Sequence, residues 1–349
     1  MTNEINIAMI ADESYLLPTV VALRTLIEKV NADVMYHIHL IMDMDCQNEL
    51  KKYYDLKCPD NVNITFVLPS FEDDISAFSH TYVSKAALSK FCLAEIFPQF
   101  DKMLYVDGDV MFHTDLTQLY DINIENYYAA VVKDMPSYIW GNIGELGLVD
   151  YFNSGMMLLN LKKMREDLVK DKLFYYKRNE IRSLYMDQDA FNVVFANQVK
   201  FISPIYNFIS ACFECGTKED VLDFYHISDD DLEHIEIEHM AGTIKPWKDA
   251  SSDKLSEWFP YIENGREMAL CLQNYQTAIM QKQQKEIQEQ QKEIQEQQKI
   301  IEELDKQIRE SKDCIHNCKI RILELEQRVT SLDNIIFIRM WRKLRKYKG

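Results

Sequence analysis

The stretch MLYVDGDV, residues 103–110, decides how the rest of the chain is read. Met103 to Val106 are consecutive apolar residues, as in a strand buried on both faces of a sheet, and the acids begin where that strand would end. Asp107 and Asp109, one residue apart, leave the end together. Hard divalent cations take oxygen ligands, so such a pair can face one ion from two directions. Gly108 between them keeps the backbone turn open. An isolated acidic pair is also common on solvated loops, so the surroundings have to decide.

Working outward, INIAMIAD (5–12) reads as a buried strand ending in an acid, followed by a helix from about Leu17 to Val30 with apolar residues on one face. YHIHLIMD (36–43) and NITFVLP (63–69) are strand-like, with a polar helix from near Gln47 between them. Ser84–Phe97 is amphipathic and stops at Pro98. This alternation predicts an α/β fold with a single, mostly parallel central sheet and helices on both faces. Ligands of such sheets sit at the carboxyl ends of the strands, so Asp12 and Asp107 would share one crevice. Beyond Asp109, AAVVKD (129–134), FNSGMMLLNL (152–161) and VKFISPIYN (199–207) look like strands, with a helix near Asp187–Ala196 and a loop ending in EHMAGTIKPW (238–247).

The 349 residues are 47% apolar and 11% aromatic, enough for a sizeable core, and carry a formal net charge of -17. That acidity argues against a nucleic-acid partner, which needs clustered Lys and Arg. No run of about 18 apolar residues predicts a spanning helix, and the first residues carry no basic export signal, so a cytoplasmic protein with reduced thiols is expected. Cys212 and Cys215 form a lone CxxC, and Cys314 and Cys318 flank His316; a second CxxC is missing, so no zinc is expected.

Composition changes near Gln276. QQKEIQE stands at 283–289 and again at 290–296, and an apolar residue recurs every seventh position from Met280 through Ile287, Ile294, Ile301 and onward to Ile336. The row three residues later is Gln in its first half and mixed after Leu304. A seven-residue repeat sustained this long predicts a coiled coil and with it a homo-oligomer. The end reverses sign, with Arg339, Arg342, Lys343, Arg345, Lys346 and Lys348 interleaved with Met340, Trp341, Leu344 and Tyr347. Such a segment suits contact with an anionic membrane face.

Five segments in order, IADESY (10–15), LYVDGDV (104–110), FNSGMMLLNL (152–161), YMDQDAFN (185–192) and HMAGTIKPW (239–247), make the chain resemble glycosyltransferase family 8. That group holds bacterial lipopolysaccharide galactosyl- and glucosyltransferases and is related to glycogenin. The resemblance covers about residues 4–262. It implies a GT-A fold, a UDP-sugar donor, Mn2+ (with Mg2+ as the alternative ion) and retention of anomeric configuration. A dehalogenase-type phosphatase also begins with a strand and DxD, but Val110 and Met111 do not continue its motif.

Carried over by position, the resemblance makes Asp107, Asp109 and His239 the metal ligands, with Gly108 leaving room for a ribose or metal water. Gly242 and Lys245 match positions that meet the diphosphate. Ala11, Asp12 and Tyr15 match the nucleotide-facing positions, with Ser14 where the family often has Asn. Lys90 stands in place of a donor-binding Arg, keeping charge without the bidentate fork. Asp134 resembles a sugar-binding carboxylate, Asn153 and Ser154 line the sugar, and Asp187 and Gln188 fall near the anomeric carbon. Gln188 is a poor nucleophile, so same-face substitution is expected rather than a covalent intermediate.

The expected organisation is therefore a catalytic domain over residues 1–265, a connecting helix over 266–275, a coiled coil over 276–336 and a basic amphipathic tail over 337–349. The expected function is transfer of glucose or galactose from a UDP-sugar to a saccharide acceptor. The rival reading is a coiled-coil adaptor carrying a transferase domain that no longer turns over.

Overall fold

A computed structural model of the chain describes residues 3–69, 88–141, 143–179 and 186–346. The expected helix residues 84–87 and the last three residues of the tail lie outside these. The strands are β1 (Glu4–Ile10), β2 (Met35–Ile41), β3 (Val62–Val67), β4 (Lys102–Asp107), β5 (Val110–Phe112), β6 (Ala129–Val131), β7 (Met156–Asn160), β8 (Val199–Phe201), β9 (Phe208–Ile209) and β10 (Ile237–His239). Seven of them form a sheet in the order β3-β2-β1-β4-β7-β6-β8. Its neighbours are parallel except where β7 runs against β4 and β6.

Both faces of this sheet are buried because successive side chains alternate between them. Leu104 and Val106 join Ile5, Ile7 and Met9 in a core that packs Val20, Leu23 and Leu26 of the helix Leu16–Lys29. Met103 and Tyr105 join Met157 and Leu159 in a second core with Phe91, Phe174 and Phe191. The unbroken apolar run 103–106 is thus shared between the two cores.

The strand order fixes the site. From β1 the chain builds outward through β2 to β3, then returns to place β4 on the other side of β1. That reversal opens a crevice at the carboxyl ends of β1 and β4. Ile10 pairs with Asp107 in register, so Asp12 and the DxD share one rim, as the sequence predicts.

Three features go beyond the sequence reading. A second sheet, β5-β10-β9, accompanies the first; strands of two and three residues leave no periodicity to read. Gly108 has no positive φ, and a Cβ there would stand 2.1 Å from Thr19 Oγ1, so its missing side chain admits helix Leu16–Lys29. The expected connecting helix is also packed: one helix runs from Gly265 to Lys346, and its first turns, through Gln276, belong to the compact unit Met1–Gln276. There Glu267 is buried and receives Arg24 bidentately, Nη1 at 2.8 Å and Nη2 at 2.9 Å. From Ile279 onward every described side chain of the helix is exposed.

Candidate active site

Asp107 closes β4 and Asp109 opens the turn into β5, whose Val110 pairs in register with His239 of β10. The small sheet therefore carries an imidazole from the far end of the sequence to the DxD. His239 Nε2 lies 3.1 Å from Asp109 Oδ1 and 4.0 Å from Asp107 Oδ2. One ligand atom from each of the three residues lies within 4.8 Å of the others.

A network of amides fixes which ring nitrogen faces the carboxylates. Asn153 Oδ1 accepts from Gly155 N at 2.9 Å and from Asn207 Nδ2 at 3.0 Å. With its nitrogen used there, Asn207 presents Oδ1 to His239 Nδ1 at 3.1 Å. Nδ1 is thereby committed to Asn207, and Nε2 is the nitrogen aimed at the acids, where it donates to Asp109 when protonated and offers its lone pair to a cation when not. Two carboxylates and an imidazole are a donor set that fits a divalent cation. Gly155 also makes the room, since a Cβ there would lie 2.1 Å from His239 Cε1 and 2.7 Å from Asp107 Oδ2. Among the described residues the other acidic–imidazole group, His113, Glu238 and Glu257, holds the Lys254 ammonium 2.7 Å from Glu238 and reads as an ion-pair cluster.

Two ammonium groups balance the acids. Lys245 Nζ lies 2.8 Å from Asp109 Oδ2 and also bonds Met240 O. Lys90 Nζ is 2.7 Å from Asp187 Oδ2, 3.4 Å from Asp107 Oδ1 and 3.2 Å from Ser154 O, with its charge over the Tyr105 ring. Burial alone would lower the Lys90 pKa and raise that of Asp109. For Lys90 the Asp107 and Asp187 charges prevail and raise it; for Asp109 the His239 and Lys245 partners prevail and lower it. Lys90 is thus held as the ammonium and Asp109 as the carboxylate. Tyr105, which donates to Asp107 Oδ1, and Tyr15 are both pushed up, first by burial and then by the surrounding acids, and stay protonated.

The remaining expected residues divide into two groups beside this centre. Asp134 Oδ1 caps the helix Met135–Trp140 through Ser137 N, and its Oδ2 accepts from Asn153 Nδ2 at 3.1 Å and Gln188 Nε2 at 2.9 Å. Gln188 Oε1 accepts from Ser154 N at 3.0 Å and Asn153 Nδ2 at 3.2 Å. Asp134, Asn153, Ser154 and Gln188 therefore form one bonded patch, with Asp187 joined to it through Ser154 Oγ at 3.5 Å. In the second group, Asp12 Oδ1 caps the turn Glu13–Tyr15, and the Tyr15 ring meets Trp247 edge-on at 6.1 Å. Ala11 lies between these elements with its N–H bonded to Ile41 O. Gly242 is less simply placed: the side a Cβ would take faces the Glu214 carboxylate at 2.1 Å, and Glu214 bonds Thr243 N and Oγ1 at 2.8 Å each.

Sequence reading missed several contributors. Asn207 and Tyr105 sit in strand-like runs with no spacing to mark them. Asn274 and Tyr275 lie outside the motifs, yet Asn274 Nδ2 bonds Trp247 O at 3.1 Å and Tyr275 hydroxyl bonds Pro246 O at 2.6 Å. The base of the long helix therefore holds the loop that carries Lys245. Replacing Asn207 with Ala should lower metal affinity about 10- to 100-fold, as loss of such an orienting partner typically does. Mn2+ titration against the unchanged chain checks this, and equal affinity would show that Asn207 does not set the ring.

With fold and site in view, the chain belongs to glycosyl transferase family 8, whose profile matches residues 6–251. It is 30% identical over 172 residues to a lipopolysaccharide 1,2-glucosyltransferase of Escherichia coli, covering 47% of this chain and 50% of that one. It is 25% identical over 283 residues to a lipopolysaccharide 1,3-galactosyltransferase of Salmonella typhimurium, covering 77% and 80%. Several curated relatives are matched over only 50% to 63% of their length. The solved galactosyltransferase LgtC, in complex with donor and acceptor sugar analogues, superposes with a TM-score of 0.58 at 21% identity, covering 74% of this chain and 95% of that one. The fold is GT-A.

Proposed function

We propose that this chain transfers a hexose, glucose or galactose, from a UDP-sugar to a hydroxyl of a saccharide acceptor, with retention and with Mn2+ assistance. Relatives named for lipopolysaccharide synthesis support surface glycan or glycoconjugate assembly as the setting. The observation that carries the reading is the convergence of Asp107, Asp109 and an Nε2-facing His239, with the Lys245 and Lys90 ammoniums beside them. Bound there, a divalent cation would neutralise charge growing on the leaving diphosphate.

The chain's own groups supply the rest. Lys245 offers a second positive charge to the leaving diphosphate, and Tyr15, edge-on to Trp247, gives the base an aromatic wall. Asp134, Asn153 and Gln188 are held by one another and present fixed polar atoms to sugar hydroxyls. Among the described residues Asp187 and Asp134 are the carboxylates beside the sugar patch, and neither is free to attack: Asp187 is paired to Lys90, and both Asp134 oxygens accept hydrogen bonds. Same-face substitution follows, with the departing diphosphate taking the acceptor's proton. A screen of UDP-glucose, UDP-galactose and their N-acetyl forms should give Mn2+-dependent hydrolysis of one hexose donor, with the released sugar first seen by NMR in the donor's anomeric configuration. Inverted product, or a sugar trapped covalently on Asp187 or Asp134, contradicts the route.

The basic end completes the proposal. No helix among the described residues is long and apolar enough to cross a membrane. Trp341 and Met340 are exposed beside Arg339, Arg342, Lys343 and Arg345, which supports peripheral binding at the inner face of the cell membrane from a cytoplasmic location. Each such cation near an anionic leaflet is worth about 1 kcal/mol. Deleting residues 337–349 should weaken sedimentation with phosphatidylserine vesicles about 10²-fold or more; unchanged sedimentation refutes it.

A further inference from the structure

The helix Gly265–Lys346 carries, beyond the compact unit Met1–Gln276, an apolar seam that no described residue covers. Ile301, Ile308, Ile315, Ile322 and Val329 recur every seventh residue and are 50 to 58% exposed. Leu304, Leu325 and Leu332 form the row three residues on, 47 to 58% exposed. A long helix gains most of its stability in water by packing such a face. The sugar chemistry proposed above uses none of these residues.

We propose that the occupant is a second copy of this chain, paired parallel and in register as a two-stranded coil. Branched residues in the first row with Leu in the second favour two strands. Direction and register follow from the polar layers. The second row opens with Gln283, Gln290 and Gln297 and continues through Ser311 and Cys318. In a parallel, in-register pair each of these meets its own copy, so every buried amide has an amide partner. Reversed strands would lay the Gln-rich half against the Ile- and Leu-rich half, leaving amides facing hydrocarbon.

Flanking charges agree. In a parallel coil the residue before each seam position reaches the residue five further along the partner, which sets Arg321 against the partner's Glu326. Arg321 now bonds Glu324 of its own helix at 2.8 Å, an exposed pair that is cheaply exchanged. Between Gln281 and Ile300 the charges cancel, with Lys282, Lys285, Lys292 and Lys299 against Glu286, Glu289, Glu293 and Glu296. That segment therefore offers the basic end of a reversed copy no net attraction.

Cys318 makes the geometry testable, because it lies on the seam and is exposed in the single chain. In the proposed pair the two Cys318 thiols face each other within disulfide reach, whereas Cys314 stands off the seam. The full chain carrying Cys58→Ser and Cys314→Ser should weigh twice its 41.2 kDa by light scattering. Diamide, accepting the two protons and two electrons, should convert it to a covalent dimer that dithiothreitol reverses. Adding Cys318→Ser should abolish the covalent dimer and keep the doubled mass. The pair Ile308→Asp and Ile322→Asp should give single-chain mass while the catalytic unit's melting transition stays in place. A monomer or a trimer at tens of micromolar overturns the proposal, as does a dimer whose Cys318 thiols fail to join.

Discussion

Asp109→Asn is expected to reduce kcat for transfer by about 10³-fold, the scale seen when one preorganised charge-stabilising group is lost. The substitution keeps the shape of the side chain and an acceptor toward Lys245 while removing the charge. Asp109 is almost fully buried between His239 Nε2 and Lys245 Nζ, so no other described carboxylate stands ready in its place. The melting temperature without metal should fall modestly, because the charge that His239 and Lys245 hold ionised is lost while the fold around it is kept. Stabilisation by Mn2+ should vanish. Single-turnover rates with the preferred donor, beside melting curves with and without Mn2+, separate lost chemistry from lost folding. Retention of more than a tenth of the rate would mean that the DxD is not the centre of the reaction.

The second large effect lies where the long helix joins the catalytic unit. Glu267→Ala should lower unfolding free energy by about 3–5 kcal/mol, since it leaves the Arg24 guanidinium buried with its main partner gone. Both side chains are nearly inaccessible, and Asn264 Nδ2 and Glu263 N also converge on the Glu267 carboxylate. Glu263, 3.3 Å from Arg24 but 41% exposed, offers only partial replacement. Urea unfolding followed by the fluorescence of buried Trp247 and Trp258 reads the change. The double change Arg24→Met, Glu267→Leu should recover most of the loss, because it removes the stranded charge with the carboxylate. A single variant as stable as the parent would mean that the first turns of the helix are not clamped.

The parts of this fold that could be read from sequence are those whose signal is local. The run from Met103 to Val106 declares a doubly buried strand because neither face of β4 tolerates polarity, and the acids mark its end. The helix Leu16–Lys29 and the heptads from Met280 to Ile336 are periodic, and period survives in sequence. Long-range contacts do not. Gly108 reads as a turn glycine, while its role depends on Thr19, met only after folding. Asn207 is an amide without a pattern, and its meaning comes from Asn153 and His239, brought together by strands too short to show alternation. His239 and Lys245 acquired roles through the five-segment resemblance, and the pairing of β10 with β5 supplies the physical reason. The stretch 266–275 was expected to connect two parts, because neither Arg24 nor Trp247 announces a partner on the helix.

Metal-linked nucleotide binding tests the central claim most directly. Melting curves of the full chain should be recorded with UDP alone, Mn2+ alone, both together, and both with excess EDTA. Two ligands that share one site should raise the melting temperature together by more than the sum of their separate effects, by an amount that grows with UDP concentration. EDTA should return the curve to that of UDP alone. A rise with UDP that ignores Mn2+ and EDTA, or no rise at all, would contradict a metal-bridged nucleotide-sugar site at Asp107, Asp109 and His239.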